Sequence, residues 1–214
     1  LVRQRMVERL ARGGLREPAV VQAMHQVPRH AFVDPALVQQ AYEDTALPIG
    51  HGQTISKPSV VGRMLELLHA GLQARSAGTL GRVLEIGTGC GYQTALLAQM
   101  SRQVVSIERI GALFDKAREH LSAWRLDHVR LVLGDGMLGH APLAPYDTIV
   151  AAAGGDALPP AWLDQLAVGG RLVAPLAPGA GRGQVLVVID RHAHGLVRTE
   201  HEAVHFVPLR SGTA

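Results

Sequence analysis

Apolar residues in this chain follow two patterns: short continuous runs typical of buried strands, and the three-to-four-residue spacing of helices. Four apolar runs predict parallel strands, at Arg82–Ile86, Gln103–Ile107, Val129–Leu133 and Tyr146–Ala152. Helical spacing fills the intervals, as in Gln93–Met100 and from Ile110 to Trp124. This alternation predicts an α/β fold, doubly wound and Rossmann-like, with a mainly parallel sheet covered by helices on both faces.

The segments on either side of this alternation predict an N-terminal helical cap and a group of C-terminal strands. Helical patterns cover residues 2–12, 19–26 and 60–72, with a short helix around Pro35 to Tyr42. Further along we expect a short helix, a fifth strand and a hairpin-like pair of late strands, at Pro160–Leu166, Arg171–Pro175, Gln184–Asp190 and Ala203–Leu209. A single domain is expected, divided into a cap with an irregular loop (1–78), a central core (79–175) and C-terminal strands (176–214).

Composition narrows the classes of protein that fit this pattern. The 214 residues are 47% hydrophobic, enough for one core, and no apolar run approaches the ~18 residues of a membrane span. The formal charge is +3, but the arginines are spread along the chain and aromatic residues make up only 4%, which argues against nucleic-acid binding. Cys90 is the single cysteine, and the first residues lack the apolar stretch of a signal peptide. We therefore expect a cytoplasmic protein without internal disulfides.

Histidines offer the only metal-like spacing. His192 and His194 form one pair, and His201 and His205 form another. Neither pair is accompanied by the cysteines or carboxylates that would complete a site. No metal is expected.

A glycine-rich corner follows the first strand, where Gly87, Gly89 and Gly91 separate it from the next helix. Strand, glycine turn and helix form the ligand-binding corner of doubly wound folds. The spacing differs from the G-x-G-x-x-G of dinucleotide sites, and the lysine of a phosphate-binding loop is absent. Glu108 closes the second strand, where its carboxylate can accept hydrogen bonds from both hydroxyls of a ribose.

Two further features at strand ends narrow the ligand. Asp135 and Gly136 close the third strand, where the carboxylate can meet the amino group of an adenine. The glycine corner carries no basic residue and follows Glu85, so it suits an amino-acid tail with an ammonium group better than a pyrophosphate. Each residue alone has an ordinary explanation as a strand-end cap or a turn. Their placement after three successive strands favours S-adenosylmethionine.

The stretch from Leu47 to Pro58 predicts an irregular loop because it contains two glycines, two prolines and several hydroxyl or amide side chains. It runs directly into the amphipathic helix that includes Val60. Two interpretations are open: Ser56 or Lys57 caps this helix, or the loop closes over a ligand. Composition alone favours the cap.

Several motifs carry a resemblance to a known family. They are VPRHAFV at 27–33, Ala41-Tyr42-x-Asp44, LPIGHGQTISKP at 47–58, VLEIGTGCGY at 83–92, SIER at 106–109, GDG at 134–136, GGRLV at 169–173 and FVPL at 206–209. On these motifs the chain resembles the protein-L-isoaspartate O-methyltransferases (protein-β-aspartate methyltransferases) over nearly its whole length. The resemblance implies a class I S-adenosylmethionine-dependent methyltransferase fold. It also implies methyl transfer from S-adenosyl-L-methionine, giving S-adenosyl-L-homocysteine, to the α-carboxyl of L-isoaspartyl residues in damaged proteins.

The resemblance also implies roles for particular residues. Ser56 corresponds to the family's active-site serine, which reverses the preference for a simple cap. The cofactor positions are Glu85, Gly87, Thr88, Gly89, Gly91, Glu108, Arg109, Asp135 and Gly136. The acceptor positions are Ile55, Ser56, Val204, His205, Phe206 and Val207, the last four on a strand whose backbone holds the isoaspartyl peptide. The expected partners are isoaspartyl proteins and peptides, bound by a monomer that uses neither nucleic acid nor membrane.

Other function classes share parts of this pattern. A related carboxyl methyltransferase could act on an aspartate of one dedicated peptide, and another methyltransferase could act on a small molecule or nucleic acid. A non-catalytic S-adenosylmethionine-binding protein would keep the corner without needing Ser56. A dehydrogenase is disfavoured by the glycine spacing.

Overall fold

The apolar runs form strands in the computed structural model, which describes residues 1–179 and 181–214. Over these residues the strands β1 to β9 are Leu47–Gly50, Gln53–Ile55, Arg82–Ile86, Gln103–Glu108, Val129–Leu133, Tyr146–Ala151, Leu166–Leu176, Gln184–His192 and Gly195–Val204. Seven of them form one sheet in the order β5-β4-β3-β6-β7-β8-β9, and β1 pairs with β2 in a separate hairpin. Strands β3 to β7 are parallel, while β8 and β9 are antiparallel to their neighbours.

Six α-helices lie within the described residues. The helices α1 to α6 are Val2–Arg12, Pro18–Gln26, Pro58–Arg75, Tyr92–Met100, Gly111–Ser122 and Pro160–Gln165. Short 3-10 turns add Arg29–Phe32, Pro35–Gln40, Gly136–Leu138 and Ala141–Leu143. Within this part of the chain, no helix is both long and apolar enough to cross a bilayer.

Alternating strand residues divide the core into two clusters, one for each face of the sheet. The larger cluster joins Val83, Val104 and Val150 to buried residues of α1 to α5. The smaller joins Leu84, Val105 and Ile149 to buried Trp162 of α6. Each fully buried aliphatic side chain contributes roughly 1.5–3 kcal/mol. The predicted doubly wound, mainly parallel fold with an N-terminal helical cap is confirmed.

Three sequence-based predictions differ from the structure. The stretch 47–58 is not wholly irregular, because β1 and β2 form a short antiparallel hairpin within it. The fifth strand begins at Leu166, five residues before the predicted start. The last strand was predicted at Ala203–Leu209 but runs from Gly195 to Val204. Nearly all of its residues are exposed, so it lacks the apolar alternation that marks a half-buried strand.

This correction moves part of the predicted acceptor segment off the sheet. Val204 is the last residue of β9, and exposed His205, buried Phe206 and partly buried Val207 follow outside any strand. The division into regions 1–78, 79–175 and 176–214 stays a prediction. Residue 180, in the third region, lies outside the described part of the chain.

Candidate active site

A cleft lies at the carboxyl ends of β3, β4 and β6, where the strand order reverses between β3 and β6. Ligands of open α/β sheets bind at such a point because the loops leaving the two strands diverge there. The cleft is lined by Ile49, Gln53, Thr54, Ile86, Gly87, Gly89, Ile107, Glu108, Arg109, Ile110, Leu113, Gly136, Ala152, Ala153, Val207, Pro208, Leu209 and Arg210. Six separate parts of the chain thus meet around one space.

The glycine corner, residues 87–91, presents bare backbone to the cleft. Gly87, Gly89 and Gly91 have φ angles of 90°, 57° and 91°, in the left-handed region that other residues rarely adopt. The Gly87 N–H donates to the Ile107 carbonyl at 2.9 Å, which fastens the corner to β4. A Cβ on Gly89 would lie 3.2 Å from Ile49 Cδ1, so the β1–β2 hairpin closes on the corner because residue 89 has no side chain.

Glu85 lies beneath this corner and not on the wall of the cleft. It is completely buried, and its Oε1 accepts hydrogen bonds from the Thr94 and Ser106 hydroxyls, each at 2.5 Å. Thr88, also buried, shares a 2.6 Å hydrogen bond with Ser106. Burial raises the pKa of the Glu85 carboxyl to about 7, against the opposing effect of the two hydroxyl donors. Its Oε2 is buried and has no hydrogen-bond partner among the described residues.

Glu108 stands at the end of β4 and lines the cleft. Its Oε2 accepts from the Gly89 N–H and its Oε1 accepts from the Ile110 N–H, both at 2.9 Å. These bonds hold the carboxylate in one orientation, and each oxygen keeps a lone pair for a ligand hydroxyl. Apolar Ile107 and Leu113 lie beside it in the lining, so a carboxylate and an apolar wall adjoin at this end of the cleft.

Asp135 and Arg109 both form hydrogen bonds with Gly212, near the C-terminus. Asp135 accepts hydrogen bonds from the Met137 N–H at 2.9 Å and from the Gly212 N–H at 2.8 Å. Arg109 Nε donates to the Gly212 carbonyl at 3.0 Å. Asp135 lies outside the cleft lining, whereas adjacent Gly136 is part of it. A Cβ on Gly136 would meet a methyl group of Ile86 at 2.6 Å, so only glycine fits there.

Ser56 lies between β2 and α3, and the structure removes the interpretation that it caps this helix. Lys57 occupies the N-cap position and its side chain makes no capping hydrogen bond. The Ser59 N–H in the first turn donates instead to Asp44 Oδ1 at 2.8 Å. Because Asp44 supplies the cap from upstream, the partly exposed Ser56 side chain is not needed for that role. Ser56 is outside the cleft lining, next to buried Ile55.

Residues 206–210 close the cleft on the side opposite the β1–β2 hairpin. Gly154 donates to the Val207 carbonyl at 3.0 Å and accepts from the Leu209 N–H at 2.9 Å, so it pairs with the segment on both sides. A Cβ on Gly154 would lie 2.7 Å from Gln184 Nε2. Gln184 also accepts from the Phe206 N–H at 2.6 Å. A single glycine after β6 therefore allows residues 206–210 to lie over the cleft.

Comparison with known proteins identifies the family to which this chain belongs. The family model described as Protein-L-isoaspartate(D-aspartate) O-methyltransferase (PCMT) matches residues 2–214. The chain belongs to this family. It is 63% identical over 214 residues to the Protein-L-isoaspartate O-methyltransferase of Methylibium petroleiphilum, covering all of this chain and 78% of that protein. It is 62% identical over 213 residues to the protein of the same name from Leptothrix cholodnii, covering 99% of this chain and 74% of that one.

Solved structures of PCMT proteins share the fold. One protein-L-isoaspartate O-methyltransferase superposes with a TM-score of 0.84 at 26% identity, over 96% of this chain and 65% of its own. A putative PCMT from Plasmodium falciparum, solved in complex with S-adenosyl-L-homocysteine, superposes with a TM-score of 0.83 at 26% identity, over 96% of both chains.

Several cleft residues of this PCMT protein were not anticipated from the sequence. Ala152 and Ala153 follow β6, and the Ala152 N–H donates to the Ile86 carbonyl at 2.9 Å beside the glycine corner. The reasoning that placed Glu108 in the ligand site, because it follows a predicted strand, would also have placed these two alanines there. Gln53 and Thr54 lie in a loop singled out for Ser56, but only the hairpin pairing shows that they face the cleft.

Among the described residues, no group of three or more His, Cys, Asp or Glu side chains is placed to hold a metal ion. Cys90 is buried, and burial raises the pKa of its thiol to about 11. A thiol with a raised pKa is a poor nucleophile because little of it is ionised near neutral pH. Cys90 is therefore not a candidate nucleophile.

Proposed function

We propose that this chain is a protein-L-isoaspartate O-methyltransferase. It transfers the methyl group of S-adenosyl-L-methionine to the α-carboxyl of L-isoaspartyl residues in damaged proteins and peptides. Family membership over residues 2–214 supports the activity. The observation that carries the proposal is the cleft itself. The β1–β2 hairpin before Ser56 and the segment 207–210 lie on a floor made by the glycine corner and Glu108.

The cleft fits S-adenosylmethionine in shape and chemistry. Side-chain-free positions at Gly87, Gly89 and Gly136 leave room and backbone for the ligand. Glu108 retains acceptor capacity for ribose hydroxyls, and Ile107 offers an apolar surface for a ring. The glycine corner itself carries no basic residue, in keeping with a ligand that lacks a pyrophosphate, and Arg109 of the lining donates to the Gly212 carbonyl. When bound, S-adenosylmethionine supplies a methyl group on a positively charged sulfur.

The chain's part in the reaction is positioning. A carboxyl group with an ordinary pKa is ionised at neutral pH, so the acceptor oxygen needs no strong general base. The protein must place that oxygen in line with the methyl group and exclude water. We assign Ser56 to donate a hydrogen bond to the acceptor carboxylate without forming a covalent adduct. Ile55 and residues 204–207 are assigned to the acceptor side.

The bond changes explain how the reaction starts repair. The carboxylate oxygen forms a bond to the methyl carbon, the carbon–sulfur bond breaks, and sulfur keeps the electron pair. A carboxylate resists nucleophilic attack because of its negative charge. The ester lacks this charge, so the neighbouring backbone nitrogen attacks the ester carbonyl. The nitrogen gives up its proton, the methoxy group takes up a proton and leaves as methanol, and a succinimide forms, whose hydrolysis restores some normal aspartyl linkage.

The remaining assignments belong to the same proposal. Glu85, Thr88 and Gly91 shape the glycine corner from beneath or behind, whereas Gly87, Gly89, Glu108, Arg109 and Gly136 face the ligand. We assign Asp135 to the adenine end of S-adenosylmethionine, where its carboxylate also accepts the hydrogen bond from the Gly212 N–H. The protein acts as a cytoplasmic monomer on isoaspartyl proteins, without nucleic acid.

Replacing Ser56 with alanine tests the acceptor side of the proposal. We expect Ser56→Ala to lower kcat for labelled methyl transfer to an isoaspartyl peptide by about 100-fold, the cost of misplacing a reacting group by about 1 Å. The dissociation constant for S-adenosylhomocysteine, measured by calorimetry, should stay unchanged. Unchanged kcat would remove Ser56 from the mechanism.

A further inference from the structure

Arg29 is a buried cation that the proposed mechanism does not use. It lies in the 3-10 turn Arg29–Phe32 and has no exposed surface. Among the described residues, no salt bridge joins it to a carboxylate. Burial lowers the pKa of its guanidinium, because the charged form is the one that loses hydration. Because burying a charged guanidinium costs free energy of hydration, its contacts with neighbouring groups must offset that cost.

Its contacts join two parts of the site. Arg29 Nε donates to the Ala41 carbonyl at 2.8 Å, and Nη2 donates to the Thr45 carbonyl at 3.4 Å. The guanidinium carbon lies 5.1 Å from the centre of the Tyr92 ring, within cation–π range. Tyr92 is the first residue of α4, directly after the glycine corner. Arg29 therefore bridges the irregular segment 41–46 and the corner.

Segment 41–46 sets the position of the hairpin that leads to Ser56. It runs directly into β1, whose Ile49 packs on Gly89, and β1 fixes β2 by pairing Leu47 with Ile55. The segment is also tied to the start of α3, because Asp44 accepts the hydrogen bond from Ser59. Segment 41–46 therefore fixes the chain on both sides of Ser56, at β2 before it and at the start of α3 after it. Arg29 in turn holds the segment through its two hydrogen bonds.

We propose that Arg29 is a positioning residue that fixes the Ser56 hairpin over the glycine corner; its kinetic consequence rests on the proposed function. The guanidinium donates from two different nitrogens to two carbonyls while its carbon lies over an aromatic ring, a combination that the multi-donor guanidinium group allows. A lysine ammonium is a compact point charge without the guanidinium's fixed fork of donors, so it does not reproduce the separate Nε and Nη2 contacts.

The proposal is tested by combining local hydrogen exchange with kinetics in Arg29→Lys. We expect faster amide exchange confined to residues 41–59, with β3 and β4 as protected as in the wild type. Turnover of an isoaspartyl peptide should fall by about 10- to 100-fold, the effect of misplacing a reacting group by about 1 Å. The affinity for S-adenosylhomocysteine should change by less than about threefold, since its main contacts lie on the corner and β4.

Arg171→Lys is the matched control. Arg171 is a partly buried arginine that donates hydrogen bonds to Asp190 and to the Leu67 carbonyl in the middle of α3. Its replacement should lower the thermal midpoint without changing turnover. If Arg29→Lys shows the same pattern, or if exchange rises uniformly, Arg29 is a stability residue and the proposal is wrong.

Two further results are decisive. Arg29→Gln keeps two N–H donors without the charge and provides a second variant where Arg29→Lys does not fold. If neither variant folds, Arg29 is required for folding itself and the positioning role is contradicted. If the wild type transfers no methyl group to the peptide, the proposed function fails, while the exchange pattern still decides whether Arg29 holds the hairpin.

Discussion

The buried carboxyl group of Glu85 makes a quantitative prediction about stability and pH. Burial raises its pKa in the folded protein from the ordinary 4.5 to about 7. The folded state therefore binds a proton more tightly than the unfolded state, and stability falls as pH rises through this interval. At about 1.36 kcal/mol per pH unit, the interval corresponds to about 3 kcal/mol for this completely buried group.

Glu85→Gln isolates this contribution. The amide oxygen can accept the hydrogen bonds that Thr94 and Ser106 donate to Oε1, and the amide does not titrate. We expect the unfolding free energy of the variant minus that of the wild type to rise by about 3 kcal/mol between about pH 4 and pH 8. Urea unfolding at several pH values measures the difference, in which other titrating groups cancel.

A flat difference across this range would refute the reasoning, because it would mean that Glu85 ionises in the folded protein as it does in the unfolded chain. A difference that falls with rising pH would refute it more strongly, since it would show that the folded state stabilises the carboxylate. Circular dichroism of both proteins at each pH confirms that the same native state is being unfolded.

Three other substitutions test separate parts of the site. Glu108→Ala removes a carboxylate acceptor and should weaken S-adenosylhomocysteine binding by about 10- to 100-fold in calorimetry, from the ~1.5–3 kcal/mol of hydrogen bonds to a charged group; unchanged affinity would contradict its assignment to the ribose. Gly154→Ala places a methyl group 2.7 Å from Gln184 Nε2 and should loosen segment 206–210, seen as faster amide exchange there and a higher KM for the acceptor; an unaltered exchange pattern would show that the segment is held elsewhere. Asp44→Ala leaves the Ser59 N–H without its acceptor and should lower stability by about 1 kcal/mol in urea unfolding; no loss would mean that another group caps α3.

The glycine corner and the carboxylates at the strand ends could be predicted from the sequence because they depend on local rules. A strand followed by closely spaced glycines and a helix is typical of the ligand-binding corner of doubly wound folds. The ends of successive parallel strands must also meet at one edge of a sheet. Glu108 and Gly136 could be placed at the cleft in this way.

Features that depend on contacts between distant segments could not be predicted. The largely exposed β9 is held by pairing with β8 and not by burial, so its pattern resembles a loop. Glu85 follows the same strand-end logic as Glu108, yet its side chain turns beneath the corner to Thr94 and Ser106. The burial of Arg29 depends on carbonyl groups 12 and 16 residues downstream, which no local pattern reveals.

The central claim is that the cleft directs a methyl group to an isoaspartyl carboxylate. The most direct measurement is methyl transfer from labelled S-adenosylmethionine to two peptides of one sequence, one with an L-isoaspartyl residue and the other with a normal L-aspartyl residue. We predict label in the isoaspartyl peptide, succinimide formation after it, and no label above background in the aspartyl twin. Equal labelling of both peptides, or labelling of the aspartyl peptide alone, would contradict the account.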